Sequence, residues 1–464
     1  MEHLTTLDAT FIEAEDSDRH VSLAIGAVAV LDGPIPDHDE LVAGLAERVS
    51  AVPRFRQVLR RHPLDLGAPE WVDDPNVDLA HHVHCVALPH PGDESALFRM
   101  VADLMERRLD RDRPLWECWV IEGLTDGRWA ILTKIHHCMA DGIATTRLLA
   151  QLSDDARSDS YATEIRAAHE ASGRGLRLPK ISLNPLDWVT GAWRASSAVT
   201  GSALRVSEGA AEIVGDLLRP AAPSSLTGPV SAMRRYVSVQ VPLDDVGAVC
   251  RSFDVTINDV ALAAVTNSFR ATLIRRGEQP RRHSVRTLVP VSVRSNDAAA
   301  KTDNRVSAML PYLPVEKADP VAQLCCVHQR LTKAKGSGQR QAGSAFVFAA
   351  DAMPFAFTAW ALRGLTRLPQ HAVVTVATNV PGPRHQLKVM GRNVVRMLPV
   401  PPIALQLRTA VAILSYADQL VFGITADYDT VPDVDVFAAD IISTIESLVN
   451  GSRQRGHPKT KRPG

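Results

Sequence analysis

The stretch Ile131–Gly142 reads Ile-Leu-Thr-Lys-Ile-His-His-Cys-Met-Ala-Asp-Gly, an apolar run that ends in two adjacent histidines and an Asp-Gly step. The strand-like pattern extends from Arg128 to Ile135, and its length before the Asp-Gly step favours a buried strand over a helix. From Gly142 to Leu152 the apolar residues return at helical spacing. The two histidines are therefore predicted to lie between a strand and a helix.

His137 is a candidate proton acceptor at the end of this strand. An unperturbed histidine has a pKa of about 6.5, so its neutral form prevails at physiological pH and can accept the proton of a hydroxyl. In this interpretation one histidine reaches a channel and the other packs inward. Asp141 fixes the loop, and Gly142 lets the chain turn without a Cβ atom.

A metal site is the main alternative for His136, His137 and Asp141. It is disfavoured because side chains of neighbouring strand residues point to opposite faces, so the two histidines would not easily share one ion. The segments His81–Cys85 and Cys325–His328 are each a single local cluster, whereas zinc usually takes paired ligands from two places. We predict no metal site. A polar loop with incidental histidines is the other alternative.

Composition limits the class of protein. With 464 residues, 45% hydrophobic and 22% charged, the chain is predicted to be globular and long enough for two domains. The formal net charge of −1 gives no overall basic field, which argues against nucleic acid as a partner. Six cysteines in a chain of this length do not suggest a disulfide framework, and the start Met1–Thr5 lacks a signal pattern. These features predict a cytoplasmic protein.

Strand-like and helix-like patterns alternate on both sides of a segment rich in Ser, Ala, Gly and Pro, which predicts an α/β protein with a central linker. Helices are predicted over 39–49, 94–108 and 257–270, and strands over 286–293, 409–416 and 420–426. Within that segment, residues 189–218 are compatible with a long helix. The predicted organisation is an N-terminal domain over residues 1–180, a partly helical linker over 181–235, a C-terminal domain over 236–450 and a basic, disordered tail over 451–464.

Two segments suggest contact with lipid. Residues 342–362 are largely apolar but contain Asp351 and Pro354, which disfavour a membrane span and predict two short apolar helices, buried or lying on lipid. The tail holds basic residues and no acidic one, so it could rest on an anionic membrane or remain a solvated terminus. Its basic residues are Arg453, Arg455, Lys459, Lys461 and Arg462.

The motif His136-His137-x-x-x-Asp141-Gly142 is similar to the active-site motif of CoA-dependent acyltransferases, and other segments resemble the wax ester synthase/diacylglycerol acyltransferase family within them. The resemblance runs from Leu7 to about Asp427 in the family's order, and the chain looks most similar to the mycobacterial triacylglycerol synthases. The segments that carry it are Leu7-Asp8-Ala9-x-Phe11, Pro114-Leu115-Trp116-Glu117, Asn258-Asp259-Val260, Val289–Arg294, Asn304-Arg305, Thr378–Pro383 and Pro399–Pro402.

The resemblance implies two chloramphenicol-acetyltransferase-like α/β domains with an active-site channel at their interface. It implies transfer of an acyl group from acyl-CoA, a substrate rather than a cofactor, to diacylglycerol, with long-chain alcohols as further acceptors that yield wax esters. Residues 402–416 depart from the family pattern, in which many members carry glycines before the late Ser-Tyr segment. This departure leaves the acceptor preference open.

The resemblance also implies roles for individual residues. His137 would be the general base, His136 would pack, and Cys138 would be a bystander because no acyl-enzyme is needed. Asp141 would form a structural ion pair, and Arg294 is its predicted partner; an exposed Arg at a strand end is the alternative.

Asn258 is predicted either to lie near the oxyanion of the reaction or to cap or brace the helix that follows it. Pro114, Leu115 and Trp116 could shape the acyl channel, or form a strand that starts at a proline and carries a core Trp. Residues 379–383 predict a rigid turn.

Two alternatives to this function remain. The same fold could acylate another lipid or polyketide hydroxyl, or the chain could be a noncatalytic protein that binds lipid or coats droplets. In each case we predict peripheral contact with the inner face of the cell membrane or with lipid droplets.

Overall fold

The computed structural model describes residues 2–50, 52–62, 67–139, 153–154, 224–292, 306–336 and 373–456. These residues form two six-stranded sheets with helices packed around them. Most of their buried apolar side chains belong to one cluster that contains residues of both sheets. A three-stranded sheet is formed by β1 (Glu2–His3), β3 (Gln57–Arg60) and β4 (Glu70–Asp73).

The N-terminal sheet contains the strand that leads to the two histidines. β2 and β7 are antiparallel neighbours in this sheet, with Ala24 opposite His136. Every residue of both strands is buried, including the polar Thr133, Lys134 and His136 of β7. The strand predicted over 128–135 is confirmed. The strands of this sheet from the first half of the chain are β2 (Ala24–Leu31), β5 (Val83–Ala87), β6 (Trp116–Glu122) and β7 (Trp129–His136).

Two strands from late in the chain complete the N-terminal sheet. β12 (Lys388–Val389) and β13 (Arg392–Val400) form an antiparallel pair, and β13 also pairs with β2. The phenolic oxygen of Tyr236 donates a hydrogen bond to the carbonyl of Pro399 at 3.0 Å. The two halves of the chain therefore share a strand, and separating them would break backbone hydrogen bonds.

The C-terminal sheet has the strand order β10-β9-β11-β14-β15-β8. β11 runs parallel to β9 and β14, whereas β15 is antiparallel to β14 and β8. The strands predicted over 286–293, 409–416 and 420–426 are confirmed. The strands are β8 (Arg234–Pro242), β9 (Thr287–Ser292), β10 (Val306–Met309), β11 (Thr375–Pro381), β14 (Thr409–Tyr416) and β15 (Gln419–Asp427).

The turn predicted over residues 379–383 is wrong in its first part. β11 continues through Asn379 to Pro381, because its partner β14 pairs with it as far as Ser415. A proline is tolerated there because it ends the strand.

Helices cover both sheets, and those predicted over 39–49, 94–108 and 257–270 are confirmed. α5 packs against α6 and α7, and the Asn267 amide donates to the Thr444 hydroxyl of α7 at 2.8 Å. The helices are α1 (Thr6–Ser17), α2 (His38–Ser50), α3 (Glu94–Glu106), α4 (Leu243–Phe253), α5 (Ile257–Arg275), α6 (Pro320–Gly336) and α7 (Val434–Gly456).

The disordered tail predicted over 451–464 is wrong for residues 451–456, which belong to α7. Ser452 is buried, and the Arg455 guanidinium lies 4.5 Å from the centre of the Phe253 ring. Basic residues in a last turn also interact favourably with the helix dipole. Packing and charge thus extend the helix beyond the point at which composition predicts disorder.

Other predictions fall outside the described residues. They concern the helix after Gly142, most of the linker, the apolar segment 342–362, and the tail beyond Gly456. Among the described residues, no helix is long and apolar enough to cross a membrane. The six cysteines all lie in described segments and are free thiols.

Candidate active site

The two histidines lie where β7 ends, and backbone hydrogen bonds fix their position. The amide of His136 donates to the carbonyl of Leu115 at 2.9 Å, just before β6. The amide of His137 donates to the carbonyl of Leu23 at 3.0 Å, just before β2. The two neighbouring strands therefore both hold the end of β7.

The His136 ring is buried, and protein groups lie beside both of its nitrogens. The Cys138 backbone N–H donates to His136 Nδ1 at 3.2 Å. His136 Nε2 in turn lies 3.6 Å from Glu15 Oε2. The ring thus links the loop after β7 to helix α1.

Glu15 is the centre of a buried charged network that the sequence did not predict. Its side chain is 1% exposed, and Arg111 Nη2 lies 2.5 Å from Oε2 while the Leu23 N–H donates to Oε1 at 3.0 Å. Burial alone would raise the pKa of Glu15, but the interactions with His136, Arg111 and Leu23 outweigh it and lower the pKa to about 2. Glu15 is therefore ionised at physiological pH.

The backbone around Glu15 is also held. Arg108 donates from Nη2 to the carbonyls of Glu15 and Asp18, and from Nε to the carbonyl of Val21 at 2.9 Å. Arg111 also pairs with Asp16 at 2.7 Å. The end of α1 and the loop that follows it are thereby attached to the segment after α3.

His137 is only partly buried, and its ring stacks on Phe11 with 4.0 Å between the ring centres and 21° between the planes. Burial lowers the pKa of His137, the charge of His136 lowers it further, and a hydrogen bond to its own main chain opposes them; the result is a pKa of about 4. His137 is therefore neutral at physiological pH and able to accept a proton.

A sequence signal for Glu15 does exist. Phe11 belongs to the quoted segment Leu7–Phe11, and Glu15 follows Phe11 by one helical turn in α1. Residues at this spacing share a helix face. A buried carboxylate on the same face as Phe11 could have been suspected, although its partner His136 could not.

Asn258 lies at the start of α5, but it does not cap the helix. The cap is Thr256, whose hydroxyl accepts from the Asp259 N–H, while the Asp259 carboxylate accepts from the Thr256 N–H at 2.9 Å. Asn258 instead points towards β11, where the Asn379 amide donates to Asn258 Oδ1 at 3.4 Å. The capping interpretation of Asn258 is therefore wrong, and two of the quoted segments meet at this contact.

Asp259 has a second partner, His328, which belongs to the Cys325–His328 cluster. His328 Nδ1 lies 2.8 Å from Asp259 Oδ2. Among the described residues, no group of three or more His, Cys, Asp or Glu side chains could hold a metal ion.

Trp116 is enclosed by protein. Its indole N–H donates to the carbonyl of Phe55 at 2.9 Å, its ring stacks on His82, and its side chain is 3% exposed. Leu115 is also buried, and Pro114 precedes the strand. These contacts favour the structural interpretation of Pro114, Leu115 and Trp116 over a lining of the acyl channel. Asp141, Gly142 and Arg294 lie outside the described residues.

Comparison with known proteins gives matches along almost the whole chain. Residues 4–261 match the wax ester synthase/diacylglycerol acyltransferase catalytic domain, and residues 302–449 match the C-terminal domain of the same family. A Mycobacterium tuberculosis protein named probable diacylglycerol O-acyltransferase is 58% identical over 455 residues, which cover 98% of this chain and 97% of that protein. Another from that organism, named putative diacylglycerol O-acyltransferase, is 47% identical over 97% of this chain and 89% of its own length.

Solved structures share the fold. The wax ester synthase/diacylglycerol acyltransferase from Marinobacter aquaeolei superposes with a TM-score of 0.68 at 23% identity, over 98% of this chain and 100% of that one. The first condensation domain of the calcium-dependent antibiotic synthetase superposes with a TM-score of 0.62 at 15% identity, over 97% of each chain. The predicted fold class, a pair of acyltransferase-like α/β domains, is confirmed.

Proposed function

The chain belongs to the wax ester synthase/diacylglycerol acyltransferase family, and we propose that it esterifies diacylglycerol with the acyl group of acyl-CoA to form triacylglycerol. The names of its relatives support this acceptor. The observation that carries the chemistry is His137, a histidine with a pKa of about 4 at the end of β7. A neutral imidazole at this position can act as a base without prior loss of a proton.

His137 would accept the proton of the acceptor hydroxyl while the hydroxyl oxygen attacks the thioester carbonyl carbon. The C–O bond forms and an oxyanion develops on the former carbonyl oxygen. Collapse of this intermediate breaks the C–S bond and expels CoA thiolate, to which the His137 imidazolium returns the proton. The products are the ester and free CoA, and acyl-CoA serves as a substrate with no separate cofactor.

Glu15 and Arg111 would position this base rather than react. Glu15 holds the Nε2 side of His136, and His136 Nδ1 holds the backbone of Cys138 directly after His137. Phe11 limits the tilt of the His137 ring by stacking on it. Movement of the ring away from the acceptor oxygen would lengthen the proton-transfer distance and slow the reaction.

Asn258 would supply a polar group near the oxyanion. Asn258 accepts through Oδ1 in its contact with Asn379, so this hydrogen bond does not use its own amide N–H groups. Asp141 would brace the loop after β7 through an ion pair, and Arg294 stays its proposed partner.

Long-chain alcohols are a second class of acceptor, since the family's description includes wax ester synthesis. Both acceptors are lipids, which supports a place for the protein at the inner face of the membrane or on lipid droplets. There it would contact lipid peripherally.

The test uses purified protein, a long-chain acyl-CoA and a panel of acceptors that contains diacylglycerol, a long-chain alcohol and a polyketide diol. We expect triacylglycerol by mass spectrometry and an equal amount of free thiol, with diacylglycerol giving the largest kcat/KM. Ester formation on the diol alone would show that the acceptor is a polyketide hydroxyl and not diacylglycerol. Lipid binding without ester formation or thiol release would identify a noncatalytic protein and contradict the proposal.

A further inference from the structure

The large apolar side chains that stay exposed are concentrated at one end of the C-terminal sheet. Each is between 38% and 53% exposed. Single exposed apolar residues are common on protein surfaces, but a group of them at one place indicates an interaction site. Within the described part of the chain, this group, the apolar end, consists of Met233, Ile274, Leu405, Tyr428 and Val436.

Strand register brings these residues to the same end. Arg234 pairs with Asp427, so Met233 and Tyr428 are adjacent, and the Tyr428 N–H donates to the Met233 carbonyl at 3.2 Å. Thr409 pairs with Ala426, which brings the segment before β14, including Leu405, to this end.

The helices reach the same place. The end of α5 lies beside the start of α7, as the 2.8 Å ion pair between Arg275 and Asp440 shows. Arg276 and Arg408 both donate to the carbonyl of Ser225, which connects the end of α5, with Ile274, to the segment of Leu405.

Leu405 lies in a backbone conformation that leucine disfavours. Its φ is 51° and that of the following Gln406 is 67°, in the left-handed region where Gly and Asn are preferred. The backbone conformation disfavours a Leu at this position, and the exposed side chain gains no stabilisation from burial. A surface that buries this side chain on binding would account for it.

The apolar end continues into a buried apolar cluster that reaches the proposed base. Ile403, Ala404 and Val230, next to Leu405 and Met233 in the chain, pack with apolar residues of the N-terminal half, among them Leu23. Phe11 packs against this cluster and also stacks on His137. Apolar side chains thus connect the exposed end with the catalytic histidine.

The arginines at the apolar end have partners, and Asp429 and Asp435, next to Tyr428 and Val436, are exposed. Arg276 pairs with Asp433 at 2.6 Å, and Arg275 pairs with Asp440. The Arg235 guanidinium lies 3.9 Å from the centre of the Tyr428 ring. Amphipathic side chains such as Tyr and Arg suit the boundary between apolar lipid and water.

We propose that the apolar end docks on the surface of a lipid bilayer and that the lipid alcohol reaches His137 from this side. This inference rests on the proposed function, because only a water-insoluble acceptor requires such a route. Since Arg275 and Arg276 are paired with carboxylates and Arg235 lies on the Tyr428 ring, adsorption depends on apolar burial and not on anionic lipid.

The first experiment measures binding without catalysis. Full-length protein is floated with phosphatidylcholine vesicles, as wild type and as the triple variant Met233→Ser, Ile274→Ser, Val436→Ser, which leaves the backbone of Leu405 and the ring contact of Tyr428 intact. We expect the partition coefficient of the triple variant to fall about tenfold or more, and that of the wild type to change little between about 50 and about 500 mM salt.

Val436→Ser alone and Val77→Ser alone form a matched pair, because Val77 is a partly exposed Val in the N-terminal half. Only Val436→Ser should weaken binding. Equal binding by wild type and triple variant, or no binding by wild type, would overturn the proposal. A wild-type dimer that becomes monomeric in the triple variant, with unchanged vesicle binding, would identify a self-association surface instead.

Kinetics separate this inference from the proposed function. The triple variant should keep wild-type turnover on a short-chain diacylglycerol that is dissolved in water and lose turnover on long-chain diacylglycerol in vesicles. If the wild type acylates neither acceptor, the proposed function fails, while the flotation result still decides whether the apolar end binds lipid.

Discussion

The ends of two central strands, one in each sheet, differ in the chemistry that surrounds them. β7 ends at His136 and His137, beside the ionised and buried Glu15 and its partner Arg111. β11 ends near Asn379, whose amide contacts Asn258, and the buried Ser415 hydroxyl beside this end accepts from the Gly382 N–H at 3.3 Å. The side chain beside His136 is charged, whereas the groups that contact Asn258 and Gly382 are neutral dipoles.

This difference indicates a division of roles. A base needs a controlled pKa, and burial of His137 lowers its pKa, while the charged network holds the neighbouring His136 in place. A group that stabilises an oxyanion needs a fixed donor with no proton to lose, and an amide held by another amide meets that need.

The largest effect is expected at the charged end. Substitution His137→Ala removes the proposed base and should lower kcat by about 10²- to 10⁴-fold. His84→Ala is the control, since His84 packs on Trp119 away from the site and should leave kcat near wild type. Steady-state assays with diacylglycerol measure both. Full activity of the His137 variant would show that the base does not lie at the end of β7.

At the neutral end, Asn258→Ala should lower kcat about 100-fold with little change in KM, because a donor near the oxyanion acts mainly in the transition state. Asn267→Ala is the matched control, an Asn of the same helix that bonds Thr444. If the two variants lose similar stability in urea and neither loses kcat, Asn258 is only a brace and the comparison between the two ends fails.

Glu15→Gln tests the buried network itself. The drop in the pKa of Glu15 from 4.5 to about 2 corresponds to about 3 kcal/mol of stability at pH 7, and we expect a loss of this size in urea unfolding. Because the folded-state pKa is depressed, this stability is present above the unfolded pKa and is lost as the pH falls from 4.5 towards 2. The stability difference between wild type and variant should therefore shrink in acid.

The activity of the same variant should fall about tenfold, since His136 no longer holds the loop after β7 in place. Asp16→Asn is the control, because Asp16 also pairs with Arg111 but is much more exposed than Glu15. A surface ion pair contributes less than about 1 kcal/mol, so the control should stay close to wild type. Equal losses of stability and activity in both variants would show that burial of Glu15 adds nothing to the effect of its ion pair.

The smallest effect concerns pH. With a pKa of about 4, His137 stays neutral in mildly acidic solution, so the kcat/KM profile should be flat from about pH 8 to about pH 5 and fall as the pH drops through about 4. Near-ultraviolet circular dichroism at each pH shows whether the protein is still folded. Half-maximal activity near pH 6.5 would mean that burial does not lower the pKa of the base.

Local sequence patterns predicted much of the fold and part of the candidate site. Apolar runs such as 128–135 and 409–416 locate strands because their side chains are buried on both faces. Local patterns failed where a distant partner decides the structure. Asn379 to Pro381 form a strand because β14 pairs with them. Gly451 to Gly456 belong to α7, where the Arg455 guanidinium packs on the Phe253 ring.

The sequence by itself determined the family, the fold class and His137 as the candidate base, because a motif and its companion segments are properties of residue identity and order. Tertiary structure decided which groups control that base. Glu15 meets His136 across more than a hundred residues, Asn258 meets Asn379, and β13 enters the sheet of the other half of the chain. Burial and electrostatic interactions depend on distance in space, so neither a depressed pKa nor a shared strand can be read from spacing along the chain.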